Sequence, residues 1–311
     1  MKVAFFSETG NNTRYPRDFP NARTEVAWAI ALDAPMCALD VQPKEHFDLG
    51  IVIIPKNNPK VNLNFIRSCC DKVGIMQEGP NWYWQDYSME NQIWYYNILM
   101  DADFILVHNK SDINYYTGLT NKKKVFPMHS LMITDGIVPR NQWGDVVIIG
   151  GNMCSWYGGF DSYIVAQEFD MPIYAPSMGR KIEQEEELEN LRHMEYMNWR
   201  KWIDRLSEFH VGVHLMRTHA AGTFALNCAF HGIPCIGYEG LDTQETLHQH
   251  LSVKLGDLDK AKRLVTELKN DDGFFYKMCS TSSQEMFKKF YSEEEWLNRW
   301  EHISRMICEE G

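Results

Sequence analysis

The sequence has little positive charge and no long apolar run. Its 311 residues include 31 lysines and arginines against 42 aspartates and glutamates, a formal net charge of −11. A chain this acidic does not attract nucleic acid or anionic membranes strongly and non-specifically, although a local basic cleft remains compatible with it. No apolar run approaches the roughly 18 residues of a membrane span, and the start, MKVAFFSETG, lacks a signal-peptide layout. We therefore expect a soluble cytoplasmic protein with no membrane span.

Metal-binding and common catalytic signatures are scarce as well. None of the eight cysteines forms a C-x-x-C pair, and the adjacent Cys69 and Cys70 make poor zinc ligands or disulfide partners. Buried free thiols in a reducing compartment explain them best. The chain has no H-E-x-x-H, P-loop or G-x-S-x-G sequence. We expect no metal site.

Apolar strands alternate with helical patterns along the whole chain. In the first half, we expect strands at residues 2–6, 48–55, 73–76, 103–107 and 125–126. In the second half, we expect strands at residues 146–149, 172–174, 211–215 and 234–237, and one long acidic helix over residues 183–209. Strands that alternate with helices form parallel sheets, which bind ligands at the carboxyl ends of their strands.

The length of the chain and a linker-like segment at residues 139–144 indicate two domains. We expect one Rossmann-like α/β domain over residues 1–140 and a second over residues 145–290. A C-terminal helix over residues 291–311 is expected to pack back across both domains.

The clearest pattern in the second domain is a strand that breaks into glycines. The apolar run at residues 146–149 ends at Gly150 and Gly151, Asn152 comes next, and a helical pattern follows. Glycines between a strand and a helix expose backbone N–H groups and a helix N-terminus, a combination that binds phosphate. Arg180 follows a later strand and has the planar guanidinium that pairs with a diphosphate, a surface ion pair being the alternative.

A second turn of small residues lies farther along this domain. The segment RTHAAGT, from Arg217 to Thr223, follows an expected strand and leads into a helix. Ala221, Gly222 and Thr223 let a diphosphate approach the backbone, and the helix N-terminus adds a positive potential of about half a charge. Arg217 and His219 can add side-chain contacts to the phosphates. The alternatives are a surface ion pair for the arginine and a structural turn position for the histidine.

The end of that helix resembles a known family. Residues 229–237, AFHGIPCIG, match the "A-x-x-G-x-P-x-I-G" pattern that closes this helix in the donor half of GT-B glycosyltransferases. The resemblance implies two Rossmann-like domains that face each other across a cleft, with a nucleotide-diphosphate sugar, a UDP-sugar foremost, bound to the C-terminal one. It also implies chemistry without a cofactor or a metal.

The chain departs from the large retaining branch of that fold at two positions. Retaining enzymes carry two glutamates eight positions apart around this helix, and the matching residues here are His219 and Asn227. Asn227 can still hydrogen-bond a hydroxyl group. The absence of this pair argues against a retaining mechanism and favours an inverting reaction, a different contact with the sugar being the alternative.

A narrower similarity is to the bacteriophage DNA β-glucosyltransferases. It rests on the start MKVAFF, on the turn formed by Gly10, Asn11 and Asn12, and on the strand that ends in Gly150 and Gly151. This similarity implies that the acceptor is a 5-hydroxymethylpyrimidine in phage DNA. The protein would then act in the cytoplasm of the host.

Glu78 is the candidate catalytic base of the first domain. It follows the strand at residues 73–76, so we expect it at the sheet edge where an acceptor hydroxyl enters. A base must come within about 2.6–3.2 Å of that hydroxyl. Trp82 and Trp84 can stack on a sugar or a base, and Asp86 is an acceptor-side contact and a weaker substitute for the base. Helix capping for Glu78 and core packing for the aromatic residues are the alternatives.

These observations predict a glycosyltransferase that moves a sugar from a nucleotide-diphosphate sugar to an acceptor hydroxyl. The acceptor is a glycan or small molecule, or a hydroxymethylated pyrimidine in phage DNA. A sugar-nucleotide epimerase and a non-catalytic sugar-nucleotide binder on the same fold are the alternatives.

Overall fold

The chain forms two compact units. The structure, a computed structural model, describes residues 1–309 except 55–60, 78, 122–123, 152, 155, 177–183, 271–272 and the side chain of residue 270. The N-terminal unit comprises Met1–Asp135 and Glu293–Gly311, and the C-terminal unit comprises Gly136–Ser292. Within the described residues, no helix is long and apolar enough to cross a membrane.

Each unit is built on a six-stranded parallel sheet. The N-terminal sheet contains β1 Val3–Ser7, β2 Met36–Ala38, β3 Phe47–Ile53, β4 Cys70–Met76, β5 Phe104–Val107 and β6 Val125–Pro127, in the order β2-β1-β3-β4-β5-β6. The C-terminal sheet contains β7 Val147–Ile149, β8 Ile173–Pro176, β9 Leu191–Met194, β10 Val211–His214, β11 Cys235–Tyr238 and β12 Ser252–Val253, in the order β12-β11-β10-β7-β8-β9. Every adjacent pair runs parallel. The prediction of two parallel-sheet α/β domains is therefore confirmed.

Helices connect the strands. The N-terminal unit has α1 Thr24–Ala31, α2 Leu63–Arg67, α3 Met89–Asp101 and α4 Ser111–Thr120. The C-terminal unit has α5 Gly159–Ala166, α6 Trp199–Leu206, α7 Thr223–His231, α8 Asp242–Leu247, α9 Leu258–Asn270 and α10 Phe274–Phe290. The last helix, α11 Glu293–Glu309, belongs to the N-terminal unit. There its Trp296 packs on Trp28, with ring centroids 5.7 Å apart, and donates a hydrogen bond to the His129 carbonyl oxygen at 3.0 Å.

The prediction of one long helix over residues 183–209 is wrong. The described part of this segment contains a 3-10 turn, Gln184–Glu187, then the edge strand β9 and then α6. Asn190 adopts a left-handed conformation with φ 62°, and the Asn198 side chain caps α6 by accepting a hydrogen bond from the Lys201 amide at 3.0 Å. The apolar spacing fits a helix, but pairing with β8 overrides this local preference.

The C-terminal sheet is covered on both faces. Val147 and Ile149 pack on the side of α5, α9 and α10, whereas Ile148 packs on the opposite side against residues of α6 and α7. β7 and β10 are neighbours in the sheet although they are not consecutive in the chain. The chain adds β8 and β9 on one side of β7 and then crosses over to add β10, β11 and β12 on the other side. In open parallel sheets, ligands bind at the carboxyl ends of the strands beside such a crossover.

Arg140 secures the C-terminal end of α7. Its guanidinium donates hydrogen bonds to the carbonyl oxygens of Phe209 at 2.5 Å, Gly232 at 2.6 Å and His231 at 3.0 Å. It also donates to the Tyr276 hydroxyl at 2.8 Å. The last carbonyls of a helix have no partner inside the helix, and this side chain supplies a charged donor at this end, where Ser280 Oγ also donates to the Gly232 carbonyl oxygen at 2.6 Å.

We expect Arg140→Ala to lower the free energy of unfolding of the protein by about 2–4 kcal/mol, because several carbonyl oxygens lose a charged donor. Arg140→Lys, which offers fewer directed donors, should lose an intermediate amount. Chemical denaturation measures both. The control is Arg205→Ala, since the exposed pair of Arg205 with Glu208 is worth about 0–1 kcal/mol. A loss for Arg140→Ala no larger than for the control would contradict this assignment.

Three buried histidines surround α7. His231 is its last residue and donates from Nε2 to the Ile203 carbonyl at 2.9 Å, because its Nδ1 accepts from the Arg140 amide. His248 Nε2 lies 3.0 Å from the Ala225 carbonyl oxygen, and the His214 ring lies 4.9 Å from that of Phe224. Burial lowers the pKa of each of the three imidazoles to about 4. All three are therefore neutral in the folded protein near pH 7.

These histidines should make the protein acid-sensitive. An unfolded histidine has a pKa near 6.5, so between about pH 6.5 and pH 4 the unfolded state binds more protons than the folded state. We expect stability to be fully present above pH 6.5 and to fall as the pH drops, by up to about 1.4 kcal/mol per pH unit for each histidine. His248→Gln should flatten the slope of unfolding free energy against pH, whereas His250→Gln, at an exposed position, should leave it unchanged. Equal slopes in the two variants would contradict the prediction.

Candidate functional site

The carboxyl edge beside the β7–β10 crossover brings together several of the predicted site residues. Gly150 follows β7, and its N–H donates to the Val213 carbonyl oxygen of β10 at 2.9 Å. A Cβ at Gly150 would lie 2.5 Å from the His214 ring, which explains the glycine. This N–H is thus engaged within the sheet, while Gly151 packs against Tyr157 and Asn152 lies outside the described residues. Phosphate binding by this turn stays a prediction.

The first turn of α5 is fixed to the segment that follows β10. Gly158, the residue before the helix, has φ 64°, and a Cβ on it would lie 1.9 Å from the Leu215 carbonyl oxygen. Ser162 Oγ accepts from the Leu215 amide at 2.9 Å and donates to the Gly158 carbonyl at 2.8 Å. Only glycine permits both the left-handed conformation and this close approach.

Arg217 lies at this edge and is paired. Its Nη2 and Nε donate to Asp161 Oδ2 at 2.7 and 3.2 Å, and this hydrogen bond raises the pKa of the guanidinium. The Tyr238 hydroxyl donates to the same carboxylate oxygen at 3.3 Å. The side chain of Arg217 is 52% exposed, so it remains accessible to a ligand. Arg180, the other predicted arginine, lies outside the described residues.

The start of α7 differs from the start of α5 in charge. Gly222 precedes α7 with φ 65°, and a Cβ on it would lie 2.0 Å from Thr243 Oγ1. The first turn of α7, from Thr223, contains no acidic residue, whereas the first turn of α5 contains Asp161. The first N–H groups of a helix have no intrahelical partner and carry a partial positive charge. Of the two helix starts, that of α7 therefore suits an anion better.

Two buried hydroxyl groups near this turn were not predicted from the sequence. Thr218 and Thr243 are each 3% exposed, and neither Oγ1 has a hydrogen-bond partner within the part of the chain that the structure describes. Thr243 lies in α8, and only the close approach of Gly222 reveals that it adjoins the start of α7. A sequence pattern carries no signal for that proximity.

His219 and Asn227, the residues at the positions of the two glutamates, lie in different surroundings. The His219 ring packs against Gly240, where a Cβ would lie 2.1 Å from its Nε2. Asn227 lies in α7, one turn after Thr223, and is 5% exposed. Neither side chain supplies a carboxylate, so a contact with sugar or ribose hydroxyls here would use an imidazole or an amide.

The predicted acceptor residues are only partly described. Glu78 lies outside the described residues. Trp84 is 2% exposed, stacks on Tyr95 with ring centroids 5.0 Å apart and donates from Nε1 to Gln77 Oε1 at 3.2 Å. Its indole therefore belongs to the core of the N-terminal unit and offers no free face for stacking. Trp82 is half-buried and Asp86 is exposed.

Two D-x-D tripeptides, the pattern of metal-dependent glycosyltransferases, occur in the chain at residues 101–103 and 257–259. Asp103 Oδ2 accepts from Arg67 Nη1 at 2.8 Å and from the Val73 amide at 2.7 Å. Asp257 Oδ1 accepts from the Lys260 amide at 2.9 Å. These carboxylates thus have structural partners, and the described residues contain no group of three side chains that could hold a metal ion.

No protein-family model matches the chain, and no curated protein matches it. Solved structures do. A sucrose-phosphate synthase of Thermosynechococcus elongatus is 10% identical, with a TM-score of 0.68 and 100% of both chains covered. HepE of Anabaena, solved in complex with UDP-glucose, is 10% identical with a TM-score of 0.66, covering 99% of this chain and 100% of HepE. TarM of S. aureus, solved with UDP among its ligands, is 10% identical with a TM-score of 0.62, covering 82% of this chain and 55% of TarM.

The likeness to these proteins is one of fold. The chain spans 54–58% of the length of the TarM and GtfA/B chains that it matches. The matches do not support the similarity to phage DNA β-glucosyltransferases, which stays a prediction. The predicted resemblance to GT-B glycosyltransferases is confirmed: the chain has the fold of these enzymes.

Proposed function

We propose that the protein is a glycosyltransferase that uses a nucleotide-diphosphate sugar as donor. The observation that carries the proposal is the start of α7 at the β7–β10 crossover, where a helix N-terminus that follows Gly222 has no acidic residue in its first turn and lies beside small residues. This arrangement suits a diphosphate. HepE and TarM, which share the fold, were solved with UDP-glucose and UDP, which supports a UDP-sugar as the donor.

In the proposed reaction, the C-terminal unit stabilises the leaving diphosphate. The amides of Ala221, Gly222 and Thr223 and the guanidinium of Arg217 offset negative charge as the bond to the sugar breaks. A phosphate oxygen there would also be a partner for the hydroxyls of Thr218 and Thr243, which have none among the described residues. Further proposed donor contacts come from the chain's other predicted residues: Gly150, Gly151, Asn152, Arg180, His219 and Asn227.

The proposed reaction inverts the configuration at the anomeric carbon and uses Glu78 as base. Direct displacement needs one carboxylate to remove the proton from the acceptor hydroxyl. No metal or cofactor enters the proposed chemistry, since amides and guanidinium groups take over the stabilisation of charge.

A glycan or small molecule is the preferred acceptor. The net charge of −11 disfavours a DNA polyanion, and the TarM complex contains two saccharide ligands, Fondaparinux and alpha-GlcNAc-glycerol. Hydroxymethylated phage DNA is the second candidate, and it requires a binding affinity that falls steeply with salt. An epimerase or hydrolase would alter the donor without an acceptor, and a non-catalytic binder would alter nothing. Incubating the donor with and without acceptor distinguishes these activities.

Donor binding should raise the melting temperature. A ligand that binds only the folded state at 100 times its dissociation constant adds about 2.7 kcal/mol of stability. We expect UDP and at least one UDP-sugar to raise the melting temperature in a panel of uridine, guanosine and adenosine diphosphate sugars. Uridine, which lacks phosphate, is the control. If no nucleotide sugar shifts the melting temperature more than its nucleoside does, the proposed donor site is wrong.

Glu78→Gln should reduce turnover about 10²- to 10⁴-fold, because the amide cannot accept the hydroxyl proton. Donor affinity should stay unchanged, which steady-state kinetics and donor titration measure together. The matched control is Glu90→Gln at an exposed position in the first turn of α3. Turnover in Glu78→Gln equal to that of the control would remove Glu78 from the mechanism.

A further inference from the structure

Asp161 joins three segments at the carboxyl edge of the C-terminal sheet. It lies in the first turn of α5, and its Oδ2 accepts from Arg217, which follows β10, and from Tyr238, which ends β11. Only 15% of its side chain is exposed. The carboxylate is thus held beside one of the predicted diphosphate contacts, Arg217.

The surrounding backbone is fixed by contacts independent of Asp161. Gly158 approaches the Leu215 carbonyl, and Ser162 Oγ binds the Leu215 amide. These contacts hold the first turn of α5 against Leu215, which precedes Arg217 by two residues. The ion pair between Asp161 and Arg217 is a third link, and it is the only one of these three that involves a side chain accessible to ligand.

The geometry of the guanidinium leaves one edge available. Nε and Nη2 of Arg217 both donate to Asp161 Oδ2, at 3.2 and 2.7 Å, whereas Nη1 has no hydrogen-bond partner among the described residues. Tyr238, 1% exposed, contributes the third donor, and burial, followed by the charge of Asp161, raises the pKa of its hydroxyl to about 12. Near pH 7 this hydroxyl is neutral and donates.

We propose that Asp161 is a positioning residue that holds Arg217 so that Nη1 meets the terminal phosphate of the nucleoside diphosphate. This inference rests on the proposed function and deepens it. Negative charge develops on that phosphate as its bond to the sugar breaks. Because Asp161 already fixes the guanidinium, Arg217 stabilises this charge without a further loss of side-chain entropy. The carboxylate of Asp161 also makes the start of α5 unfavourable for an anion, which directs the diphosphate toward the start of α7.

The test compares UDP with UMP, which lacks the terminal phosphate, by calorimetric titration of the full chain; the GDP/GMP and ADP/AMP pairs are run alongside. Arg217→Gln should weaken UDP binding about tenfold or more and leave UMP binding nearly unchanged. Asp161→Ala should weaken UDP binding about two- to tenfold, the cost of an unfixed arginine side chain, again with UMP nearly unchanged. Asp161→Asn should fall between Asp161→Ala and the parent, because the amide oxygen still accepts from Arg217.

A double variant shows whether Asp161 affects UDP binding only through Arg217 or also independently of it. Adding Asp161→Ala to Arg217→Gln should not weaken UDP binding further, because Asp161 acts through the arginine. Tyr238→Phe is the matched control: it removes another partner of Asp161 and keeps the ion pair, so the ratio of UDP to UMP affinity should stay at the parent value. Melting temperatures without ligand show whether each variant is folded.

If the parent protein prefers UDP to UMP and Asp161→Ala keeps the same preference, the positioning role of Asp161 is wrong and the proposed function still stands. The positioning role is equally overturned if Asp161→Ala weakens UDP and UMP to the same extent, or weakens UDP further in the Arg217→Gln background. If the parent protein binds none of the three nucleoside diphosphates, the proposed function fails, and this inference fails with it.

Discussion

The candidate site depends on one topological constraint, the adjacency of β7 and β10 in the C-terminal sheet. Because the strands that follow each of them add on opposite sides, α5 and α7 cover opposite faces of the sheet and begin at the same edge. Two helix starts and the loops after two strands are thereby confined to a small region. Glycines at positions 158 and 222 follow from that confinement, since a side chain at either position would collide with a neighbouring segment.

The two helix starts differ in charge, so an anion is favoured at the start of α7 over the start of α5. Asp161 offsets the dipole of α5 and occupies Arg217, whereas α7 begins with neutral residues. In the proposed donor site, a diphosphate would be attracted by the start of α7 and repelled by Asp161 at the start of α5. Arg217, which Asp161 already holds, would then contribute to binding without a large loss of side-chain entropy.

The sequence predicted the repeated α/β architecture because buried parallel strands appear as apolar runs with glycines after them. It failed over residues 183–209, where apolar spacing fits a helix and the pairing of Leu191–Met194 with β8 decides the structure. Gly222, Thr223 and Arg217 were predicted as phosphate contacts from the turn that they form, and that role stays a prediction. The proximity of Thr243 to Gly222 and the pairing of Asp161 with Arg217 were not predicted, since both depend on contacts between residues far apart in the chain. Trp84 was expected as a possible stacking platform, but its ring is part of the core.

The hydrogen bonds of Arg140 have a consequence for the opposite end of α7. This helix has nine residues and is therefore roughly 13 Å long. One side chain near the beginning of the C-terminal unit holds its C-terminal tip through the carbonyl oxygens of His231 and Gly232. In the proposed donor site, a substitution of Arg140 would weaken phosphate binding by the amides at the other tip, although every residue proposed to touch the ligand would be intact.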